Sequence, residues 1–332
     1  MSGPTDPTAM RTLEGRTIDA YVLKEYLGEG AFAGVFLTEQ RVLGARLRRV
    51  ALKLSKRVNM NEEETRTLFA DAFLLAAAID QINDAEARLH LVHVYDAGLT
   101  DDDSRAFMTM EYVPGTTLAD RFARQTKVDA GQLMTWVTQI AKALRGLHGL
   151  AEPLVHRDLK PDNILLGLDN VVRLVDFGLA ERLLHLGYVP GVAGTLAYMS
   201  PETSQGRSTP ASDIYSLGLL IYEGLTGQHP FRELIPPIGQ PDALYTEWLY
   251  DAKRSYPAVA PKLLNNTVSP ELNAIVLRCL EFEPDRRFRD AAEFLAALGG
   301  EGLAAQPVET AIRALNNDGS VKNLDRARRA IE

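Results

Sequence analysis

Cysteine is almost absent from the chain: Cys279 is the only one in 332 residues. A single thiol excludes an intramolecular disulfide framework and a cysteine-built zinc site. Long apolar runs are missing too. The longest, residues 72–79, is 8 residues, well short of the roughly 18 needed for a bilayer-spanning helix. The N-terminal stretch MSGPTDPTAM has no basic start ahead of an apolar core, so it does not read as a secretory leader. Positive charge is in deficit: 36 Lys and Arg stand against 44 Asp and Glu, a net of −8. That balance disfavours non-specific binding to nucleic acid or to an anionic membrane. No internal repeat is visible. With 46% hydrophobic and 24% charged residues the composition is globular, and the length suits one large bilobed domain or two ordinary ones. The expectation is a cytoplasmic protein with no nucleic-acid partner and no membrane segment in this chain.

Residues 1–16 are polar and rich in Thr and Pro, and are expected to form a flexible segment. From Ile18 onward, runs rich in Val, Leu, Tyr and Phe at 20–27, 34–40 and 50–55 predict strands. Asn61 with Glu64 three residues on is a capping pair, and Glu62 and Glu63 favour the positive end of a helix dipole, so a helix is predicted to start there. Strands are predicted again at 91–97 and 106–113. They are split by Thr100-Asp101-Asp102-Asp103-Ser104, which reads as a solvated hairpin turn in preference to a metal site. After Pro114-Gly115 the pattern turns helical. Asp129 and Gln132 open a helix with the stripe Leu133, Val137, Ile140, Leu144 and Leu147. Further helices are predicted over 213–225, stopped by Gly227, over 270–280, and from near Asp290. A strand-rich front with one helix, then a helix-rich back, is an α+β architecture in two lobes that part near 111–115. The expected division is 1–16 flexible, 17–113 and 114–300 as the lobes, and 301–332 as a polar tail or the start of a linker or further domain.

Four stretches carry chemistry. In Gly28-Glu29-Gly30-Ala31-Phe32-Ala33-Gly34-Val35 the glycines let backbone N–H groups approach phosphates with no Cβ in the way. A dinucleotide-binding turn needs a helix directly after it, whereas Val35-Phe36-Leu37-Thr38 reads as a strand; an ordinary tight hairpin is the competing reading. In Val50-Ala51-Leu52-Lys53 a lysine lies in an apolar strand, where it either snorkels to solvent or meets the α- and β-phosphates of a nucleotide. His156-Arg157-Asp158-Leu159-Lys160-Pro161-Asp162-Asn163 sets several residue types at fixed spacing. There Asp158 is able to accept the proton of an attacking hydroxyl, Lys160 to neutralise a transferring phosphoryl group and Asn163 to hold a magnesium ion. Asp176-Phe177-Gly178 ends a predicted strand 13 residues after Asn163, where a carboxylate can share the metals.

With these motifs in this order, residues 18–300 resemble the eukaryotic-type (Hanks-type) serine/threonine protein kinases, in their bacterial branch. The resemblance implies a bilobed protein-kinase fold, with a small antiparallel β-sheet lobe holding one helix and a larger, mostly helical lobe. It implies ATP and Mg²⁺ as cofactors, Mn²⁺ being open as a substitute, and protein substrates offering Ser or Thr. Lys160, two residues after Asp158, is the mark of serine/threonine specificity. Asn163 and Asp176 would hold the metal. Leu27, the glycine-rich stretch 28–35, Ala51, Lys53, Met110, Glu111, Val113 and Leu165 would form the nucleotide site, with Met110 guarding the back of the adenine pocket. Gly194-Thr195-Leu196-Ala197-Tyr198-Met199-Ser200-Pro201-Glu202 looks like the substrate-docking loop and its closing motif, with Ser200 in place of alanine, and Thr195 would brace Asp158 and Lys160. Asp213 would hold backbone N–H groups near His156, and Arg287 would pair with Glu202.

Some positions depart from the family pattern. Ala33 stands where the third loop glycine belongs, a mild change. The helix after residue 61 should carry a carboxylate for Lys53. Helical stepping puts Glu64, Leu68, Asp71 and Leu75 on one stripe, while a register count points to Ala72. Asp71 is preferred over Glu64, and neither remains an alternative. Residues 179–193 hold no Ser or Thr, so mid-loop Ser/Thr phosphorylation is not expected to switch the protein on; Tyr188 is the hydroxyl there. The arginines at 41, 46, 48 and 49 read as a solvated hairpin, with an acidic partner as the other option, and 231–266 as either a docking surface or loop packing. Two further functional readings stay open: a pseudokinase that binds nucleotide or partners, and a small-molecule kinase.

Overall fold

The computed structural model describes residues 10–30, 32–102, 104–125, 127–176, 193–231, 250–255 and 257–299, with the backbone alone at 71 and 193–195. Its front half is a six-stranded antiparallel sheet in the order β1-β2-β3-β4-β6-β5. The strands are β1 (Thr17–Ile18), β2 (Tyr21–Glu29), β3 (Ala33–Val42), β4 (Ala45–Ser55), β5 (Val94–Leu99) and β6 (Ala106–Glu111). Period-two alternation sorts β4 between two cores. Val50, Leu52 and Leu54 join Tyr21, Leu23, Phe36 and Phe107 on one face, while Ala51 joins Met108 and Met110 on the other. The second face, which also carries Val35, is continuous with the core of the helical half.

The helix predicted from Asn61 is present with its capping box, but in two pieces, α1 (Glu62–Leu68) and α2 (Ala70–Gln81). Phe69 between them leaves helical geometry at φ −110° and ψ 17° while its side chain is buried. A short α3 (Ala85–Leu89) follows, capped by Asp84. The single front helix of the sequence reading is therefore a broken one with an added turn. The break falls on a buried aromatic, and propensity along the chain does not register it.

The back half holds α4 (Leu118–Arg124), α5 (Ala130–His148), α6 (Ala193–Tyr198), α7 (Pro210–Thr226), α8 (Pro261–Leu264), α9 (Pro270–Cys279) and α10 (Ala291–Gly299). Beside them lies a small sheet of β7 (Gly115–Thr117), β8 (Ile164–Gly167) and β9 (Val172–Leu174). All five predicted stripe residues of α5 are buried, and Asp129 caps it through the Gln132 N–H. α7 begins three residues earlier than predicted, at Pro210, and ends at Gly227 in the left-handed region. Among the described residues no helix is long and apolar enough to cross a membrane.

Residues 10–16, expected to be loose, pack against the sheet. Met10 is 3% exposed beside Tyr26 and Phe36, Glu14 accepts from the Tyr26 N–H, and the main chains of residues 15 and 16 bond Leu23. A Cβ on Gly34 would stand 2.9 Å from the Met10 methyl, so the missing side chain makes Met10's seat. The acidic turn at 100–104 is closed by the Thr100 hydroxyl, which accepts from the Arg105 N–H, and Asp102 pairs with Arg16. The arginine-rich tip of the β3–β4 hairpin is exposed; Glu39 draws in Lys24, Arg41 and Arg46, and Arg48 stacks on Tyr95. Most of the 231–266 stretch lies outside the described residues.

Candidate active site

The antiparallel register sets Val35, Lys53 and Met108 side by side across β3, β4 and β6, and Ala51 beside Met110. Lys53 emerges on the face that looks toward the helical half, where its Nζ lies 2.6 Å from Asp176 Oδ1. Asp176 follows β9 and has φ +55°, a strained value for a non-glycine residue. Burial alone would raise its pKa, but the charge and hydrogen bond of Lys53 hold it below the usual carboxylate range.

The loop 156–163 is fixed from below by Asp213 on α7. Its carboxylate accepts from the N–H groups of His156 (2.8 Å) and Arg157 (3.0 Å), and lies 3.0 Å from His148 Nε2. The Ala291 N–H donates to His148 Nδ1, which leaves Nε2 as the ring nitrogen that donates to Asp213. Burial opposes ionisation of Asp213; these donors outweigh it and lower the pKa. Arg157 takes φ +68°, in the left-handed region that non-glycine residues rarely occupy.

Asn163 joins the two aspartates. Its Nδ2 donates to the Asp158 carbonyl and to Asp158 Oδ2, both at 2.8 Å, and approaches the Asp176 carbonyl at 3.4 Å. Lys160 Nζ is 3.0 Å from Asp158 Oδ2. Asp158 is 4% exposed, and burial raises its pKa in spite of Lys160 and Asn163. A carboxylate with raised proton affinity, held in one orientation by two donors, is suited to receiving a proton from a hydroxyl.

The glycine-rich stretch is a strand–turn–strand flap. Gly28 at φ +152° pairs with Val35, Glu29 with Gly34, and the Gly30 N–H closes the turn on the Ala33 carbonyl. Ala33 is buried opposite Ser55 and carries its methyl without strain. Leu27 is 44% exposed at the rim, Leu165 on β8 is half-buried, and Phe32 accepts from the Lys56 N–H; Ala31 lies outside the described residues. The Glu111 N–H bonds the His93 carbonyl, and its side chain pairs with Arg173 at 2.7 Å, which ties the segment leading to Val113 into both halves.

Two of the expected helix carboxylates part ways. Glu64 caps α1 through the Asn61 N–H and pairs with Arg57, so it is not the partner of Lys53. Asp71 lies on α2, and its side chain is outside the described residues, as are the side chain of Thr195 and residues 177–192, Tyr188 among them. Arg287 grips Glu202 at 2.7 and 2.9 Å, and Ser212 also donates to Glu202. Ser200 uses its hydroxyl on Thr203, at 2.8 Å. Sequence reasoning missed the His148 support for Asp213, the Tyr198–Glu223 bond and the buried Lys253, because only tertiary packing pairs them.

A family model described as the protein kinase domain matches residues 21–297. A probable serine/threonine-protein kinase of Clostridium acetobutylicum is 32% identical over 281 residues, which are 84% of this chain and 39% of that relative. Serine/threonine-protein kinase PknB of Mycolicibacterium smegmatis is 33% identical over 287 residues, 84% of this chain and 42% of the relative. The chain thus spans well under half the length of the curated relatives it matches. A crystal structure of the Mycobacterium tuberculosis PknI kinase domain has the same fold, with a TM-score of 0.60 at 24% identity over 86% of this chain and 97% of that one.

Proposed function

The chain belongs to the protein kinase family, and on that premise we propose that it transfers the γ-phosphoryl group of ATP to a serine or threonine hydroxyl of a protein substrate. The observation that carries this reading is the chain of contacts Lys53–Asp176–Asn163–Asp158–Lys160, which joins the flap-bearing sheet to the polar loop of the helical half. Residues 17–113 and 114–300 serve as the two lobes, and the cleft between them takes the nucleotide.

The donor set suits a magnesium ion. With the Asn163 amide nitrogen turned to two acceptors on Asp158, its oxygen faces the other way, and together with the Asp176 carboxylate it offers hard oxygen ligands. Asn163 and Asp176 would therefore hold Mg²⁺, and Mn²⁺ shares the preference for such ligands. When bound, the ion neutralises charge on the phosphate oxygens. Lys53 orients the α- and β-phosphates, while the backbone amides of 28–34 cover them. Ala51, Val35, Met110 and Leu165 sandwich the base, with the main chain of 111–113 as its polar edge and Leu27 closing the rim. Asp158 takes the proton of the acceptor hydroxyl, Lys160 steadies the charge that develops on the transferred group, and Thr195 braces the two. Asp71 is the candidate helix carboxylate for Lys53.

Transfer of labelled γ-phosphate with Mg²⁺, to the protein itself and to a generic basic protein, tests the reading. Asp158→Asn is expected to lower the rate by about 10²–10⁴. Absence of transfer, alongside an ATP-induced rise in Tm, would overturn the enzyme and leave a nucleotide-binding module.

A further inference from the structure

Residues 250–255 are helical and carry Lys253, a side chain with no part in the phosphoryl transfer proposed above. It is 6% exposed. Its ammonium donates to the main-chain carbonyls of Met199 at 2.6 Å and Ala197 at 3.2 Å, and lies 5.5 Å from the centre of the Tyr215 ring. Glu202, whose charge favours the ammonium, is itself gripped by both terminal nitrogens of Arg287. His229, whose ring centre lies 5.5 Å from that of Tyr198, is held neutral by burial, with the Lys253 charge adding to the effect.

An ammonium taken out of water costs several kcal/mol unless its donors are met, and a surface lysine avoids this by snorkelling. Lys253 instead points inward, to carbonyls at and just past the C-terminal end of α6. Those carbonyls have no partner within the helix and form its negative pole, so a buried cation there is matched to them. Burial pulls the Lys253 pKa down to about 7, with Glu202 opposing and Arg287 adding to the shift. α6 is also tied to α7, where the Tyr198 hydroxyl donates to Glu223. Both anchors hold the C-terminal end of α6, whose backbone carries Thr195 just before them within the segment expected to dock the substrate.

We propose that Lys253 is a positioning residue for the protein substrate: by holding the Ala197 and Met199 carbonyls it keeps α6 in place beside the catalytic loop, so that the acceptor hydroxyl is presented to Asp158. This rests on the kinase reading. It predicts that Lys253 governs the use of the protein substrate and leaves the use of ATP alone, since Lys53, Asn163 and Asp176 lie on other elements.

Lys253→Met keeps the length and removes both donors and charge. Amide hydrogen exchange over 193–204 is expected to quicken about tenfold, as suits the loss of charge-assisted bonds, with the front sheet unchanged. In steady-state kinetics the KM for a protein substrate is expected to rise about tenfold at an unchanged KM for ATP. Exchange over 193–204 equal to that of the parent chain would overturn the proposal, as would parallel changes in both KM values. Lys253→Gln, which keeps a donor, takes over the same measurements if the methionine variant does not fold. The exchange arm needs no phosphoryl transfer: an inactive parent chain sinks the kinase reading and the substrate role with it, whereas an active one with unresponsive exchange sinks the role of Lys253 alone.

Discussion

Arg287 is 2% exposed and donates to Glu202, Ala211, Glu281 and Phe282, with the Tyr215 ring 4.7 Å from its guanidinium carbon. Arg287→Met would strand the buried Glu202 carboxylate, and urea unfolding is expected to show a loss of about 3–5 kcal/mol. Ser200→Ala removes one neutral hydrogen bond to Thr203 and should cost only about 1 kcal/mol in the same assay. At Lys53 the structure shows Asp176 as the partner, and the assignment to Asp71 makes a sharp kinetic prediction. Asp71→Lys should abolish ATP turnover while the protein still folds; turnover equal to the parent would strike Asp71 from the site. At this scale Asp158, Lys160 and Asn163 are legible because short loops set their spacing. Glu64 is ambiguous in sequence since one carboxylate suits a cap and an ion pair equally well, and the Asn61 N–H decides between them.

At the scale of elements, close approach explains what periodicity left open. α7 and α9 meet at Gly218, where a Cβ would come within 2.5 Å of Cys279 Cβ. Gly218→Val is expected to push the helices apart and cost roughly 1–3 kcal/mol, read as a lowered denaturation midpoint. Met10 plays the same part for the flap. Met10→Ala should cost on the order of 2 kcal/mol and speed hydrogen exchange in β2 and β3, whereas a free N-terminal segment would leave both unchanged. A polar, proline-containing run gives no hint of that seat, since one methionine and a gap at Gly34 make it. The helix break at Phe69, a buried residue, is likewise absent from the periodicity of the chain.

Across the whole molecule, buried imidazoles set the response to acid. Burial lowers the pKa of His156 to about 4 and that of His229 to about 3, and lowers that of His90 as well. An unfolded imidazole binds its proton near 6.5, so between there and about 4 the unfolded chain holds more protons and stability falls as pH falls. Below that window Asp213 and Glu202, whose pKa values are lowered, lose their ionised-state bonds and the decline continues. Urea midpoints measured from pH 7 to pH 4 should drop steadily, and His229→Phe should flatten part of the slope; a midpoint flat over that range would contradict the burial of these rings.

The sequence by itself determined the two-part architecture, the flap and the polar loop. Strand and helix periodicity, caps such as Asn61 and Asp129, and residue types held a few positions apart are local properties, and local geometry follows from them. Tertiary structure alone decided which groups meet over long separations: Lys53 with Asp176, His148 with Asp213, Arg287 with Glu202, Lys253 with the end of α6. Each of these contacts depends on burial, which makes an unmatched charge costly and so selects its partner, and burial is a property of the packed molecule rather than of any stretch of chain.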